Sequence, residues 1–309
     1  MEKFEWKSTI RMNILTLKLV GLWPKSDKLY QFDFYTLYGM ISAFFFVVGS
    51  ILCQVIHIVR VHPDLEVLTG AIFIILTETL GSIKMCYFML NRKLIMQLMK
   101  TLNSEMFRVR TLSQRRIVQP AMSFWKLAYV SFYTLTTATA FLWSIFPFLD
   151  QSFKEKQLPF PAWYPYDAEK SPLYEISYFH QVLGLFLCAL GGLNSDTLMA
   201  AFMMFVGAQC DILCDNLRNL AMQNFNRNLL LYVNHHKVIL SFAENCNKFS
   251  SVIVLGQFFT SSVTIGLAMF QLSLVNPLSS ESYTLLFFES AVTVQLLLYC
   301  WFGNEVEIK

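Results

Sequence analysis

The spacing of charges constrains this chain more than any motif in it. Residues 34–59, 127–149, 176–195 and 249–280 contain no Asp, Glu, Lys or Arg. A helix crosses a bilayer core with about 20 apolar residues, so each stretch is long enough to span one. Two more stretches, 67–89 and 283–303, are interrupted by Glu78 and Lys84 and by Glu289, yet keep a dense background of Leu, Ile, Phe and Val. Only 15% of the 309 residues are charged and 55% are hydrophobic, whereas an ordinary water-soluble domain carries about 25% charge. Mean hydropathy is +0.46. The net charge of +3, without a long basic run, excludes a nucleic-acid binder, and the composition excludes a collagen-like or disordered chain.

The pattern predicts an all-α fold, a polytopic membrane helix bundle forming one domain over residues 1–309. Six spanning helices are placed near 36–58, 67–89, 127–148, 178–206, 251–274 and 283–303. Lys and Arg accumulate on the cytoplasmic side of membrane proteins. With a cytosolic N-terminus, segments 1–35, 90–126, 207–250 and 304–309 hold nineteen of the 24 basic residues. Segments 59–66, 149–177 and 275–282, then extracellular, hold four: Arg60, Lys154, Lys156 and Lys170. That bias disfavours a G-protein-coupled receptor, whose N-terminus lies outside. The first span begins too late and runs too long for a cleaved signal peptide.

Between the spans the sequence is uneven. Ile10, Ile14, Leu17 and Gly21 recur at helical spacing among Arg11, Asn13 and Lys18, which predicts an amphipathic helix. Such a helix fits either the membrane surface or another cytosolic helix. Residues 90–126 and 207–250 keep helical apolar spacing (Ile95, Leu98, Leu102; Leu213, Leu217, Leu220) and are expected to continue the spans and pack on one another. Residues 149–177 contain Pro159, Pro161, Pro165 and Pro172 with Phe160, Trp163, Tyr164 and Tyr166. Proline at that density predicts a stiff, folded-over outer loop.

Enzymatic motifs are missing: there is no phosphate-binding glycine loop, no H-E-x-x-H and no G-x-S-x-G. No catalytic residue, cofactor or metal is expected. Cys210 and Cys214 with His235 and His236 miss the usual zinc spacings, and the seven cysteines do not read as a disulfide framework. Charges inside a bilayer are costly. Glu78 and Glu289 stand equally for structural pairing or for a role in a cavity. Lys84 is expected to snorkel toward the cytosolic end of its helix, and Asp196 to cap or hydrogen-bond near Gly191, Gly192 and Asn194. Trp143, Phe148, Tyr174 and Tyr178 form either an interfacial belt or an aromatic pocket beneath the proline-rich loop, suited to a small lipophilic ligand.

The stretches LKLVGLWP (17–24), LPFPAWYPYDAEKSPLYEISYFHQ (158–181) and LLLYCWFGNEVE (296–307) resemble the insect odorant receptor family, in order from end to end. The resemblance implies a seven-helix receptor with a cytosolic N-terminus. It implies a ligand-tuning subunit that assembles with an odorant co-receptor into a tetrameric odorant-gated cation channel in the plasma membrane of olfactory sensory neuron dendrites. Carried onto this chain, the pocket for a small volatile ligand takes Ile72, Phe73, Trp143, Phe148, Tyr178, Val182 and Phe287. The subunit interface takes Leu213, Leu217, Leu220, Trp301, Gly303 and Asn304. The family continues past the G-N-E segment into a seventh helix, so a chain ending at Lys309 is expected to be truncated. A gustatory receptor of the same superfamily is the nearest alternative. A small-solute transporter is the other, although the repeated halves usual for one are missing.

Overall fold

The computed structural model describes residues 5–23, 34–61, 64–149, 151–220 and 225–309. Every regular element among them is helical. A single turn, Trp6–Thr9, leads into α1 (Arg11–Val20). Helix α2 (Phe34–Val61) carries a π-helical stretch at Ser42–Val48. There follow α3 (Leu65–Leu90), α4 (Arg92–Leu102), α5 (Leu112–Leu149), α6 (Leu173–Arg218), α7 (Phe225–Leu274) and α8 (Ser280–Ile308).

The six expected spans fall on α2, α3, α5, α6, α7 and α8. All but α5 contain a stretch long and apolar enough to cross a membrane. The middle of α5, from Ser131 to Ser144, mixes six threonines and serines with its apolar residues, and it packs along both α6 and α8. At 1.5 Å per residue, the 46 residues of α6 extend about 69 Å. Both α6 and α7 therefore run well beyond a bilayer core of about 30 Å.

Helix α6 forms the axis of the bundle. Of its most apolar stretch 78% is buried, against 28% in α3 and in α7. Small residues make this possible, because they let neighbouring backbones come close. A Cβ on Gly184 would lie 2.4 Å from the Phe46 carbonyl oxygen, so the π-helical stretch of α2 approaches α6 at a point that only glycine allows. The outward faces keep Leu52, Ile83, Leu127, Phe141, Leu255 and Phe259 exposed, as lipid-facing helices do.

Two ends can be told apart: the loop end, holding residues 151–172, and the opposite, basic end. In the basic half the amphipathic helix α1 packs into the bundle against α6. Ile10, Ile14 and Leu17 are all nearly inaccessible. Asn13, expected on the polar face, is buried instead, and its amide donates to Thr197 Oγ1 at 2.7 Å. Helix α1 ends at Gly21, whose φ of 86° favours glycine. The basic ends of α6 and α7 pack through Phe107, whose ring lies 5.2 Å from Phe242 and whose carbonyl accepts from Gln209 Nε2 at 3.0 Å and Trp6 Nε1 at 2.6 Å. All seven cysteines carry free thiols.

Candidate ligand cavity

Three aromatic side chains from three helices meet in the loop half. Phe73 of α3, Trp143 of α5 and Phe288 of α8 lie pairwise at 6.4, 5.4 and 5.5 Å between centroids. Beyond them the proline-rich loop folds back onto the bundle. Phe160 is buried and stands edge-on to Trp143 at 5.8 Å. The Gln181 side chain clamps its backbone, accepting from the Phe160 N–H at 3.1 Å and donating to its carbonyl at 3.0 Å. The Trp163 N–H donates to the Cys53 carbonyl at 2.9 Å, and the Arg60 guanidinium lies 3.9 Å from the Trp163 ring. Tyr164 pairs with His180 Nδ1 at 3.1 Å, and burial pushes its phenol up, so it stays protonated.

Beneath the aromatics lies a cavity of about 130 Å³. Its walls follow helical spacing on five helices: Ile74, Thr77, Glu78 and Gly81 on α3; Phe132, Thr136, Thr139, Ala140 and Trp143 on α5; Leu185, Cys188, Ala189 and Gly192 on α6; Thr260 and Thr264 on α7; Phe288, Ala291 and Val292 on α8. Small residues leave this space unfilled, where larger ones would interlock. A Cβ added to Gly192 would meet nothing within 4 Å.

The floor is polar. Lys84 Nζ lies 2.8 Å from each oxygen of the Asp196 carboxylate and 2.5 Å from Gln257 Oε1. Asp196 also accepts from Tyr299 Oη at 2.6 Å and from Gln295 Nε2. Gln257 Nε2 donates to Ser261 Oγ at 2.7 Å and to Gln295 Oε1 at 2.8 Å. This network joins α3, α6, α7 and α8. It corrects the expectation that Lys84 snorkels: its side chain is 3% exposed, because Asp196 offers a carboxylate inside the bundle. It corrects Asp196 as well, whose bonds cross to other helices instead of staying near Gly191. Glu78 is buried on the cavity wall and accepts from Gln54 Nε2 at 2.8 Å. Glu289 is buried too, with Oε1 unpartnered.

Of the residues expected to bind ligand, Trp143 lines the cavity and Phe73 packs directly behind it. Tyr178 donates to the Ser144 carbonyl, and its ring stands 5.7 Å from Phe148, which is half exposed near the loop. Ile72 and Val182 are half-buried and lie outside the lining, and Phe287 points away from the cavity that its neighbour Phe288 enters. At the basic end Leu213 is buried within the chain, while Leu217, Trp301 and Asn304 are exposed and Leu220 and Gly303 half-exposed. Trp301 packs on Phe124 at 4.7 Å.

A family model described as 7tm odorant receptor matches residues 64–308. The chain belongs to that family. Odorant receptor Or1 of Anopheles gambiae is 22% identical to it, over 99% of this chain and 80% of that protein. Odorant receptor 46a, isoform A, of Drosophila melanogaster is 20% identical, over 94% and 77% respectively. The structure of the insect olfactory receptor OR5 from Machilis hrabei, in complex with eugenol, matches with a TM-score of 0.82 over 97% of this chain and 80% of that chain, at 16% identity. The odorant receptor fold is therefore shared. This odorant receptor is a polytopic membrane protein and not an enzyme, and the gustatory and transporter alternatives give way to the family match.

Reading this odorant receptor by depth and helix alone missed Phe288, Leu185, Thr136 and the small residues. The small and polar ones carry a signal in the sequence: they recur on one helical face at i, i+1, i+4 and i+7 within apolar helices, as in Thr77, Glu78, Gly81 and Lys84.

Proposed function

We propose that this odorant receptor binds a small volatile organic molecule in the cavity beneath Trp143 and Phe288. The observation that carries this reading is a cavity of about 130 Å³ walled by apolar and aromatic side chains and roofed by a clamped loop. An apolar cavity of about 150 Å³ accepts benzene, so the space suits a molecule of about one ring. That OR5 was solved with eugenol supports an odorant in a fold of this kind.

The receptor acts as the ligand-tuning subunit of a heteromeric odorant-gated cation channel, assembled with the odorant co-receptor in the plasma membrane of olfactory neuron dendrites. The basic end faces the cytosol and the loop end faces outward, as the nineteen-to-four distribution of Lys and Arg supports. Exposed Leu217, Trp301 and Asn304 form part of the cytosolic contact with partner subunits, with Leu220 and Gly303 beside them. Binding shifts the bundle toward whichever arrangement holds the ligand more tightly. The four helices that form the floor, α3, α6, α7 and α8, also line the cavity with α5, so a change in their spacing at one level reaches the other.

The test is co-expression with the co-receptor and current recording across a volatile panel. Trp143→Ala is expected to change ligand potency while surface levels hold. No odorant-evoked current, or a dose–response curve unmoved by Trp143→Ala, overturns the reading.

A further inference from the structure

The cavity wall is unequally supplied with hydrogen-bonding groups. Lys84, the single cation among the described lining residues, directs its ammonium to both Asp196 oxygens and to Gln257. The Gln257 amide N–H groups go to Ser261 and Gln295, and Gln295 donates to Asp196. Thr77, Thr139 and Thr264 give their hydroxyl protons to carbonyls of their own helices, those of Phe73, Leu135 and Ser261. Donors are thus largely committed within the protein, while acceptors remain. Glu78 is the principal one: Gln54 occupies one position on a carboxyl group that has about four lone-pair sites. Thr136 adds a buried hydroxyl without a partner, able to accept as well as to donate, although Thr134, Thr137 and Thr139 on the same helix all bond backwards to carbonyls.

Depth along the helices brings these groups to one level. Phe73, Trp143 and Phe288 touch and mark the top. Counting 1.5 Å per residue toward the basic end, Glu78 lies about 7.5 Å below them, Thr136 and Gln295 about 10 Å, and Lys84 about 16 Å. A ring beneath Trp143 therefore carries its substituent to Glu78 before it reaches the ion pair.

We propose that the odorant taken by this receptor carries a hydrogen-bond donor, a hydroxyl or an ammonium, which Glu78 accepts while the apolar part lies against Trp143 and Phe288. The inference rests on the cavity being the odorant site. A carboxyl accepts in either protonation state, so both donor classes fit the same group. To a carboxylate, isosteric ethers, ketones and hydrocarbons offer only an apolar group or an oxygen that cannot donate, and a buried polar group without its partner is costly; a neutral carboxyl can make two hydrogen bonds with a hydroxyl against one with a ketone.

Four probes with one ring and one substituent test this: cyclohexanol, cyclohexylamine, cyclohexanone and methylcyclohexane. Each is titrated against the purified full chain in detergent, reading the ligand-dependent rise in unfolding midpoint. Cyclohexanol, cyclohexylamine or both are expected to bind about five- to tenfold tighter than cyclohexanone, and more tightly still than methylcyclohexane. Glu78→Gln, which supplies a donor at the same place, removes that advantage. Thr136→Val reduces it a few-fold and leaves methylcyclohexane unchanged. Stronger binding of the amine identifies a charged carboxylate and stronger binding of the alcohol a neutral one, and both support the proposal. Equal binding of cyclohexanone and cyclohexanol, a donor advantage that survives Glu78→Gln, or no binding by any probe overturns it. Trp143→Ala separates the two readings. If it weakens all four probes while Glu78→Gln changes nothing, only the donor inference falls. If it changes none of them, the cavity assignment falls as well.

Discussion

The two halves of the bundle are made from the same helices and solve opposite problems. In the loop half, α3, α5, α6 and α8 present Gly81, Ala140, Ala189, Gly192 and Ala291 to one another and to Thr260 and Thr264 of α7, and leave a cavity. In the basic half, α6 presents Leu198, Met199, Phe202 and Phe205, all almost completely buried, and α1 adds a further layer over them. Between the halves lies the network of Lys84, Asp196, Gln257, Gln295 and Tyr299. Tight packing is the default of protein interiors, so an unfilled region above a filled one marks where the molecule keeps room for something else.

The strongest way to break this contrast is to remove the floor. Asp196→Ala leaves the Lys84 ammonium buried without its carboxylate and is expected to cost about 3–5 kcal/mol, seen as a sharply lowered unfolding temperature in detergent. The double substitution Lys84→Met with Asp196→Leu is expected to recover much of that loss, because it removes both charges together. A tolerated Asp196→Ala shows that water reaches the floor and that the two halves are not sealed from each other.

The filled half is tested next. Leu17→Ala empties a fully buried site and is expected to cost about 2–5 kcal/mol, whereas Leu19→Ala, on the exposed face at 65% accessibility, stays within about 0.5 kcal/mol. Equal effects at both positions mean that α1 lies on the membrane surface and not on α6.

Two smaller tests sharpen the unfilled half. Phe288→Ala removes an aromatic wall and is expected to weaken odorant potency about tenfold, in line with the roughly 1–3 kcal/mol that a small apolar contact contributes. Phe287→Ala leaves potency unchanged in the same current recordings. Smallest is Gly192→Ala, expected to raise stability by up to about 1 kcal/mol through helix propensity while narrowing the space for ligand. Gly81→Ala runs the other way, since its Cβ would fall 2.4 Å from Cys188 Sγ.

Much of the architecture is legible in the charges and prolines. Uncharged stretches predict where the long helices lie, because a charge in hydrocarbon is costly wherever it occurs. Pro159, Pro161 and Pro165 predict the folded loop, because proline restricts the chain locally. The cavity is less legible. Trp143 and Phe73 come from the correct helices, but Phe287 and Phe288 are neighbours with the same chemistry, and on a helix about 100° of rotation separates the ring that faces the cavity from the ring that faces outward.

By itself the sequence determined the class of the molecule: a helical membrane protein with its basic residues gathered at one end, since hydropathy and charge act through solvent and need no partner. The tertiary structure decided everything that depends on which residues meet. It turned Lys84 inward to Asp196, set α1 and Asn13 into the bundle, and placed small residues of four helices around one space so that it remained unfilled. Such pairings depend on the relative rotation and depth of helices far apart in sequence, and that is fixed only when they pack.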